Sequence, residues 1–172
     1  KRFPVQQIAP TEDDKIYRKT HIAGTVHDER AAMMGGVAGH AGLFSNATDL
    51  AKLGQMLLHE GSYGGYQYYK PETVNLFTAK QFDISRRGLG WDKPVQSEWN
   101  SPTSLKASPK TFGHTGFTGT CIWIDPEFDL MYIFLSNRVY PDRSSKLITT
   151  NIRSRIQDVI YESIFDYCQY YY

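Results

Sequence analysis

Long apolar runs are missing from this chain of 172 residues; none approaches the roughly 20 that a membrane-spanning helix requires. An excess of either charge is missing too, since 19 Lys and Arg stand against 18 Asp and Glu. That balance gives no electrostatic case for nucleic acid or an anionic membrane surface as partner. Cysteine is scarce. Cys121 and Cys168 show no metal-ligand spacing, and Cys121, inside an apolar run, is expected to be a small core residue. Cysteine usage therefore leaves the compartment open. No His-x-x-x-His pair occurs, and His27, His40 and His114 lie far apart in sequence, so no metal and no other cofactor is expected. The glycine-rich stretch at 35–42 is not closed by Gly-Lys-Ser/Thr, which excludes a phosphate loop.

Aromatic residues, by contrast, are abundant, with 12 Tyr and 9 Phe. The closing Tyr167-Cys168-Gln169-Tyr170-Tyr171-Tyr172 is expected to expose rings that touch a partner or a segment outside the chain. Length favours one domain. Residues 1–34 are polar and broken by Pro4, Pro10 and Thr11-Glu12-Asp13-Asp14, which predicts an extended segment without regular structure. In Val26-His27-Asp28-Glu29-Arg30-Ala31, Asp28 or Glu29 is expected to bond backbone groups of the following glycine loop, and His27 is a candidate to touch a cleft. Gly35, Gly36, Gly39 and Gly42 make that loop, with His40 expected to be satisfied by backbone carbonyls.

Loops and helices fill 35–110. Asn46 is placed to cap a helix whose apolar stripe is Leu50, Leu53, Gly54, Leu57 and Leu58 and whose end is Gly61. Gly64-Gly65 marks a turn, and Pro71 opens a second helix ending near Lys80. Residues 82–110 read as loop apart from a short strand near 88–91, where Trp91 lines a cleft rim or packs in the core.

The last third is clearer. Residues 111–117 read as a strand. The stretch 118–125 carries Cys121 and Trp123 on one face and Ile122 and Ile124 on the other, the pattern of a strand buried on both sides. Asp125-Pro126-Glu127-Phe128-Asp129 turns the chain, and 129–136 returns antiparallel. From 146 to 167, Ile148, Ile152, Ile156, Val159, Ile160 and Ile164 recur at helical spacing. The predicted class is α+β: an antiparallel sheet, its strands within 111–137, flanked by helices.

One stretch stands out for chemistry: Gly113-His114-Thr115-Gly116-Phe117-Thr118-Gly119-Thr120. The imidazole of His114 handles a proton or contacts an anion. The hydroxyl of Thr115 bonds a carboxylate or carbonyl. Gly116 lets a ligand approach the backbone, and the N–H of Phe117 is a candidate oxyanion donor. Side chains alternate along a strand, so His114 and Thr115 reach one ligand only through a twist or bulge at the glycine.

The triplet His114-Thr115-Gly116 resembles the third active-site motif of the serine β-lactamase and penicillin-binding protein family, usually Lys-Thr-Gly, with His-Thr-Gly in some D-peptidase and esterase-like branches. The resemblance is closest to the class C-like branch. It extends through Gly35-Gly36-Val37-Ala38-Gly39-His40-Ala41-Gly42-Leu43-Phe44-Ser45, the helix 49–58, Gly88-Leu89-Gly90-Trp91 and Asp125-Pro126-Glu127, covering most of 26–137. The family works by acyl transfer from a serine in Ser-x-x-Lys. No serine here has Lys three residues later, and Tyr-x-Asn or Ser-x-Asn is missing too. In the family both lie upstream of the glycine-rich stretch. The resemblance therefore implies the C-terminal part of a β-lactamase/transpeptidase-like domain with no catalytic residue of its own.

On that reading His114, Thr115, Gly116 and Phe117 bind substrate and complete the oxyanion strand. The substrate is a small molecule or a peptidoglycan-derived peptide or ester; histidine in place of lysine favours a peptidase or esterase. The implied compartment is the periplasm or cell envelope. The N-terminal part of the same domain is the implied partner, and an exposed sheet edge makes a homodimer possible. The alternative is a non-catalytic module that binds peptidoglycan or stabilises a larger cell-wall glycosidase, for 26–45 also resembles the C-terminal domain of β-N-acetylglucosaminidase-like enzymes.

Overall fold

The computed structural model describes residues 3–95 and 101–171, the last five as backbone only, and its Cα framework divides into two units. The first comprises Lys1–Asn46, Gly116–Thr120 and Leu135–Thr150; the second comprises Ala47–Thr115, Cys121–Phe134 and Asn151–Tyr172. In chain order the elements are β1 (Pro10–Asp14), β2 (Thr20–Ala23), α1 (Glu29–Met33), α2 (Ala47–Leu58), β3 (Ser62–Tyr63), β4 (Tyr66–Gln67), α3 (Pro71–Thr78), β5 (Phe112–Thr115), β6 (Cys121–Asp125), β7 (Leu130–Phe134), α4 (Lys146–Thr149) and α5 (Ile152–Tyr171). Helices and antiparallel strands together make the α+β class expected from sequence.

In the first unit the polar stretch expected to lack regular structure forms the antiparallel hairpin β1–β2, with Glu12 opposite Ile22 and Asp14 opposite Thr20. Asp13 and Asp14 are consumed locally, Asp13 by His21 Nδ1 at 2.6 Å. The Asp14 carboxylate accepts the backbone N–H groups of Ile16, Tyr17 and Arg18 at 2.9, 2.9 and 2.8 Å, which closes the connection. Those three bonds hold its carboxyl well below the usual range. Asp28 also departs from expectation. It caps α1, accepting from the Ala31 N–H at 2.8 Å, rather than bonding backbone groups of the glycine loop. His40 places Nε2 3.0 Å from the same Asp28 carboxylate, not on a backbone carbonyl.

The second unit is built on the sheet β5–β6–β7, antiparallel throughout. Cross-strand pairing puts Cys121 opposite Phe134 and Trp123 opposite Tyr132, and Ile160 of α5 packs against that face. Burial pushes the Cys121 thiol up to about 11. On the other face Met131, opposite Ile124, fills the space left by Gly54 of α2; a Cβ there would meet the Met131 sulfur at 2.0 Å. The buried side of α2 is thus Gly54 and Met56, while Leu53 of the expected stripe is 39% exposed. Asp125, at the end of β6, is buried and fully engaged. Its carboxylate accepts the Ser108 N–H at 2.9 Å, the Ser108 hydroxyl at 2.6 Å and the Tyr161 hydroxyl at 2.6 Å. It thereby ties the loop before β5 to the sheet and to α5.

Two further expectations are corrected. The predicted helix 146–167 is two helices, because Asn151 adopts a left-handed backbone (φ 51°) that asparagine tolerates and a continuous helix does not. No strand forms at 88–91. Gly88 and Leu89 are tied to the end of α3, where the Leu89 N–H donates to the Phe77 carbonyl at 2.8 Å, and the sheet contact falls to Asp92, which bridges Gly113. The ring-exposure expectation for 167–172 lies outside the described residues.

Candidate active site

Gly113 opens the site because β5 and β6 come close there; a Cβ would lie 2.1 Å from the Ile122 carbonyl oxygen. Pairing continues in regular register, His114 opposite Ile122 and Thr115 opposite Cys121. The side chains of His114 and Thr115 therefore leave on opposite faces of the sheet, with no bulge to unite them. His114 is exposed and bonded twice. Its Nε2 lies 2.6 Å from Arg87 Nη1, and its Nδ1 lies 2.7 Å from the Thr115 carbonyl oxygen. A guanidinium only donates and a carbonyl only accepts, so Nδ1 carries the hydrogen and Nε2 accepts. The permanent charge at this strand end belongs to Arg87.

Asp92 anchors that arginine. It is buried and binds Arg86 bidentately at 2.5 and 2.8 Å, with Arg87 Nη2 at 3.6 Å. Burial pushes the Asp92 carboxyl up, but the Arg86 bonds and the Lys93 N–H outweigh it and hold the group below its usual value. Two guanidiniums thus share one carboxylate beside His114. Sequence reasoning missed Arg87, which stands 27 residues from its partner in no motif.

In the first unit, residues 116–120 form a tight turn. The Gly116 N–H donates to the Thr120 carbonyl at 2.8 Å, and the Gly119 N–H to the Gly116 carbonyl at 3.0 Å. Gly119 has φ 112°, a backbone that favours glycine. The Phe117 N–H has no partner among the described residues. The Phe117 carbonyl accepts from Arg138 Nε at 2.7 Å, and the Thr118 carbonyl from the Arg138 N–H at 3.0 Å. The Phe117 ring stacks on His27 at 5.2 Å between centroids, with the Arg138 guanidinium 4.4 Å from its centre. His27 is largely buried, its Nε2 at 3.0 Å from the Glu12 carboxylate, and burial holds its pKa below the ordinary 6.5.

Each predicted residue is thus placed: His114 and Thr115 at the end of β5 in the second unit, Gly116 and Phe117 in the turn of the first. His27 touches Phe117. Among the described residues no group of three His, Cys, Asp or Glu is positioned to hold a metal ion. A shallow depression at the β1–β2 connection, lined by Asp13, Asp14, Lys15, Lys19, Thr20 and His21, contains none of these four residues. The turn of the first unit thus carries a backbone donor without a partner among the described residues, and the end of β5 in the second unit carries an anchored cation, Arg87.

The family model described as Beta-lactamase matches residues 4–156. A relative from Escherichia coli (strain K12), named "Putative D-alanyl-D-alanine carboxypeptidase", is 43% identical over 149 residues, covering 80% of this chain and 34% of the relative. One of the same name from Salmonella gallinarum is 38% identical over 163 residues, covering 88% of this chain and 38% of its own. The chain spans about a third of the length of the curated relatives it matches. Among solved structures, a beta-lactamase from Mycobacterium bovis aligns with a TM-score of 0.52 at 25% identity, over 69% of this chain and 44% of that one.

Proposed function

Because this chain belongs to the Beta-lactamase family, we infer that it is the substrate-binding part of a serine hydrolase whose nucleophile lies outside these 172 residues. The uncommitted Phe117 N–H, one residue past the His-Thr-Gly triplet, is the observation that carries the reading. An upstream serine attacks the substrate carbonyl and gives up its proton to a neighbouring base. The carbonyl oxygen becomes an oxyanion that accepts from the Phe117 N–H and from the serine's own N–H. The leaving group departs, and water then hydrolyses the acyl-enzyme. Gly116 allows the backbone approach, and Thr115, which leaves the face of β5 opposite His114, offers its hydroxyl to the same substrate once the strand twists at Gly116 on binding. Arg87 supplies a fixed positive charge beside His114. A peptide ending in D-alanyl-D-alanine fits this charge through its terminal carboxylate, in line with the relatives' name.

The absence of Ser-x-x-Lys also favours a second reading, a module that binds peptidoglycan peptides without catalysis. Mass spectrometry after incubation with a chromogenic β-lactam and a p-nitrophenyl ester separates the two. The intact protein is expected to carry one acyl adduct on a serine outside these residues, and the isolated chain none. Stoichiometric labelling of any serine in this chain refutes the first reading; an unlabelled intact protein that still binds the peptide supports the second. In the active protein Thr115→Val and His114→Ala are each expected to cost about 1–3 kcal/mol of transition-state stabilisation. Wild-type kcat/KM in both variants removes these residues from the site.

A further inference from the structure

Phe117 is 60% exposed, yet both its ring and its carbonyl are held by other side chains. Its ring lies against His27 and the Arg138 guanidinium, and its carbonyl accepts from Arg138 Nε. The holders are themselves braced. Arg18 donates through Nη1 and Nη2 to the carbonyls of Val26 and His27 at 2.8 and 2.7 Å, fixing the backbone that carries the histidine. The buried Glu12 carboxylate lies between His27 Nε2 at 3.0 Å and Arg143 Nε at 2.6 Å. Arg138 extends Nη1 to the Ser144 carbonyl at 2.7 Å, and Ser136 donates to the Gly119 carbonyl at 2.9 Å. Every one of these groups belongs to the first unit. An exposed turn whose only task was to reverse the chain would not require two side chains, His27 and Arg138, each braced in turn by others, to fix one phenylalanine.

We propose, on the acyl-transfer reading above, that His27 and Arg138 are positioning residues that fix the 116–120 turn and so keep the Phe117 N–H free and aligned for a developing oxyanion. Neither touches the reacting atoms. His27 acts through the Phe117 ring, and Arg138 through the ring and the carbonyls of Phe117 and Thr118. Alignment is where such a role is felt, because a displacement of about 1 Å can cost on the order of 100-fold in rate.

The test uses the intact protein and three readouts: melting temperature, steady-state hydrolysis of p-nitrophenyl acetate, and residue-resolved amide exchange at Gly116 and Gly119. His27→Ala is expected to speed exchange at both glycines and to lower kcat about 10–100-fold with KM little changed. His27→Phe keeps an aromatic ring against Phe117 and is expected to restore slow exchange and most of kcat. Arg138→Lys keeps the charge but loses the Nε bond to the Phe117 carbonyl, so its kcat should fall without rescue. A folded His27→Ala protein with wild-type kcat and wild-type exchange overturns the proposal. So does a variant that loses only melting temperature while both glycines exchange as before. If the wild type hydrolyses no ester, yet exchange still rises in His27→Ala and falls again in His27→Phe, the positioning contact stands and the acyl-transfer reading fails instead.

Discussion

A histidine held between an arginine and a carbonyl has its hydrogen placed for it, and that alters what the residue can do. His114 donates through Nδ1 to its own strand and accepts at Nε2 from Arg87, so both ring nitrogens are engaged within the chain. The charge beside His114 belongs to Arg87, 27 positions upstream, and on the proposed acyl-transfer reading it takes the part of the lysine of Lys-Thr-Gly. Arg87→Ala should therefore lower kcat/KM for a carboxylate-bearing substrate by about 1–2 kcal/mol, the modest end for charge-assisted bonds because the guanidinium is half exposed. A neutral ester should barely respond. Steady-state kinetics on a D-alanyl-D-alanine peptide and on a p-nitrophenyl ester check the difference, and equal losses on both would remove Arg87 from substrate recognition. His114, Thr115, Gly116 and Phe117 could be singled out as candidates because three chemically loaded residues stand in a row before a turn. Arg87 could not, since the chain returns it to β5 through Asp92 and no local pattern encodes that return.

Elements were legible where one physical period dominates. Apolar residues fill both faces of β6, and it pairs on both sides as expected, while Pro71 sets the start of α3 as a proline at the first helical position does. The β1–β2 hairpin was hidden because its residues look like turn formers. Thr11, Glu12 and Asp14 are buried through specific partners, which composition does not reveal. The break between α4 and α5 was hidden for the opposite reason: the isoleucine period runs on past Asn151, and a single backbone angle interrupts it. At β5 the decisive feature is a missing side chain. Gly113→Ala places a methyl 2.1 Å from the Ile122 carbonyl oxygen and 2.8 Å from the Trp123 Cα, both backbone atoms that cannot swing away. The strands must separate, and the expected loss is about 3 kcal/mol, the upper end for overpacking. Gly39 is the control, with nothing within 4 Å of an added Cβ and no left-handed φ, so Gly39→Ala should change stability by about 0.5 kcal/mol or less. Urea unfolding of the two variants measures the contrast, and equal stability would mean that β5 and β6 already have room.

At the scale of the whole molecule the first unit differs from the second in carrying, beside its carboxylates, an acid-sensitive buried histidine. In the first, burial holds His27 below its ordinary 6.5; the nearby Glu12 charge opposes that shift, and the Arg143 and Arg18 charges add to it. The unfolded ring then takes up its proton before the folded one, so stability falls as pH drops below 6.5 and levels off once the folded ring is protonated. In the second unit the sensitive groups are carboxylates. Burial pushes the Asp125 carboxyl up, but bonds from Ser108 and Tyr161 outweigh it and hold the group below 3.8. Asp92 is held below the same value by Arg86. Their stabilisation is complete above 3.8 and is lost only as pH falls from there through the folded values. Acidification should therefore loosen the first unit before the second. The buried Ile22 and Val26 report the first unit through their methyl signals, and the buried Trp123 reports the second through its fluorescence. The methyl signals should begin to change below pH 6.5 and the tryptophan only below pH 3.8, and His27→Phe should abolish the earlier change. Coincident transitions in the wild type, or an early change that survives His27→Phe, would show that His27 does not set the acid limit of its unit.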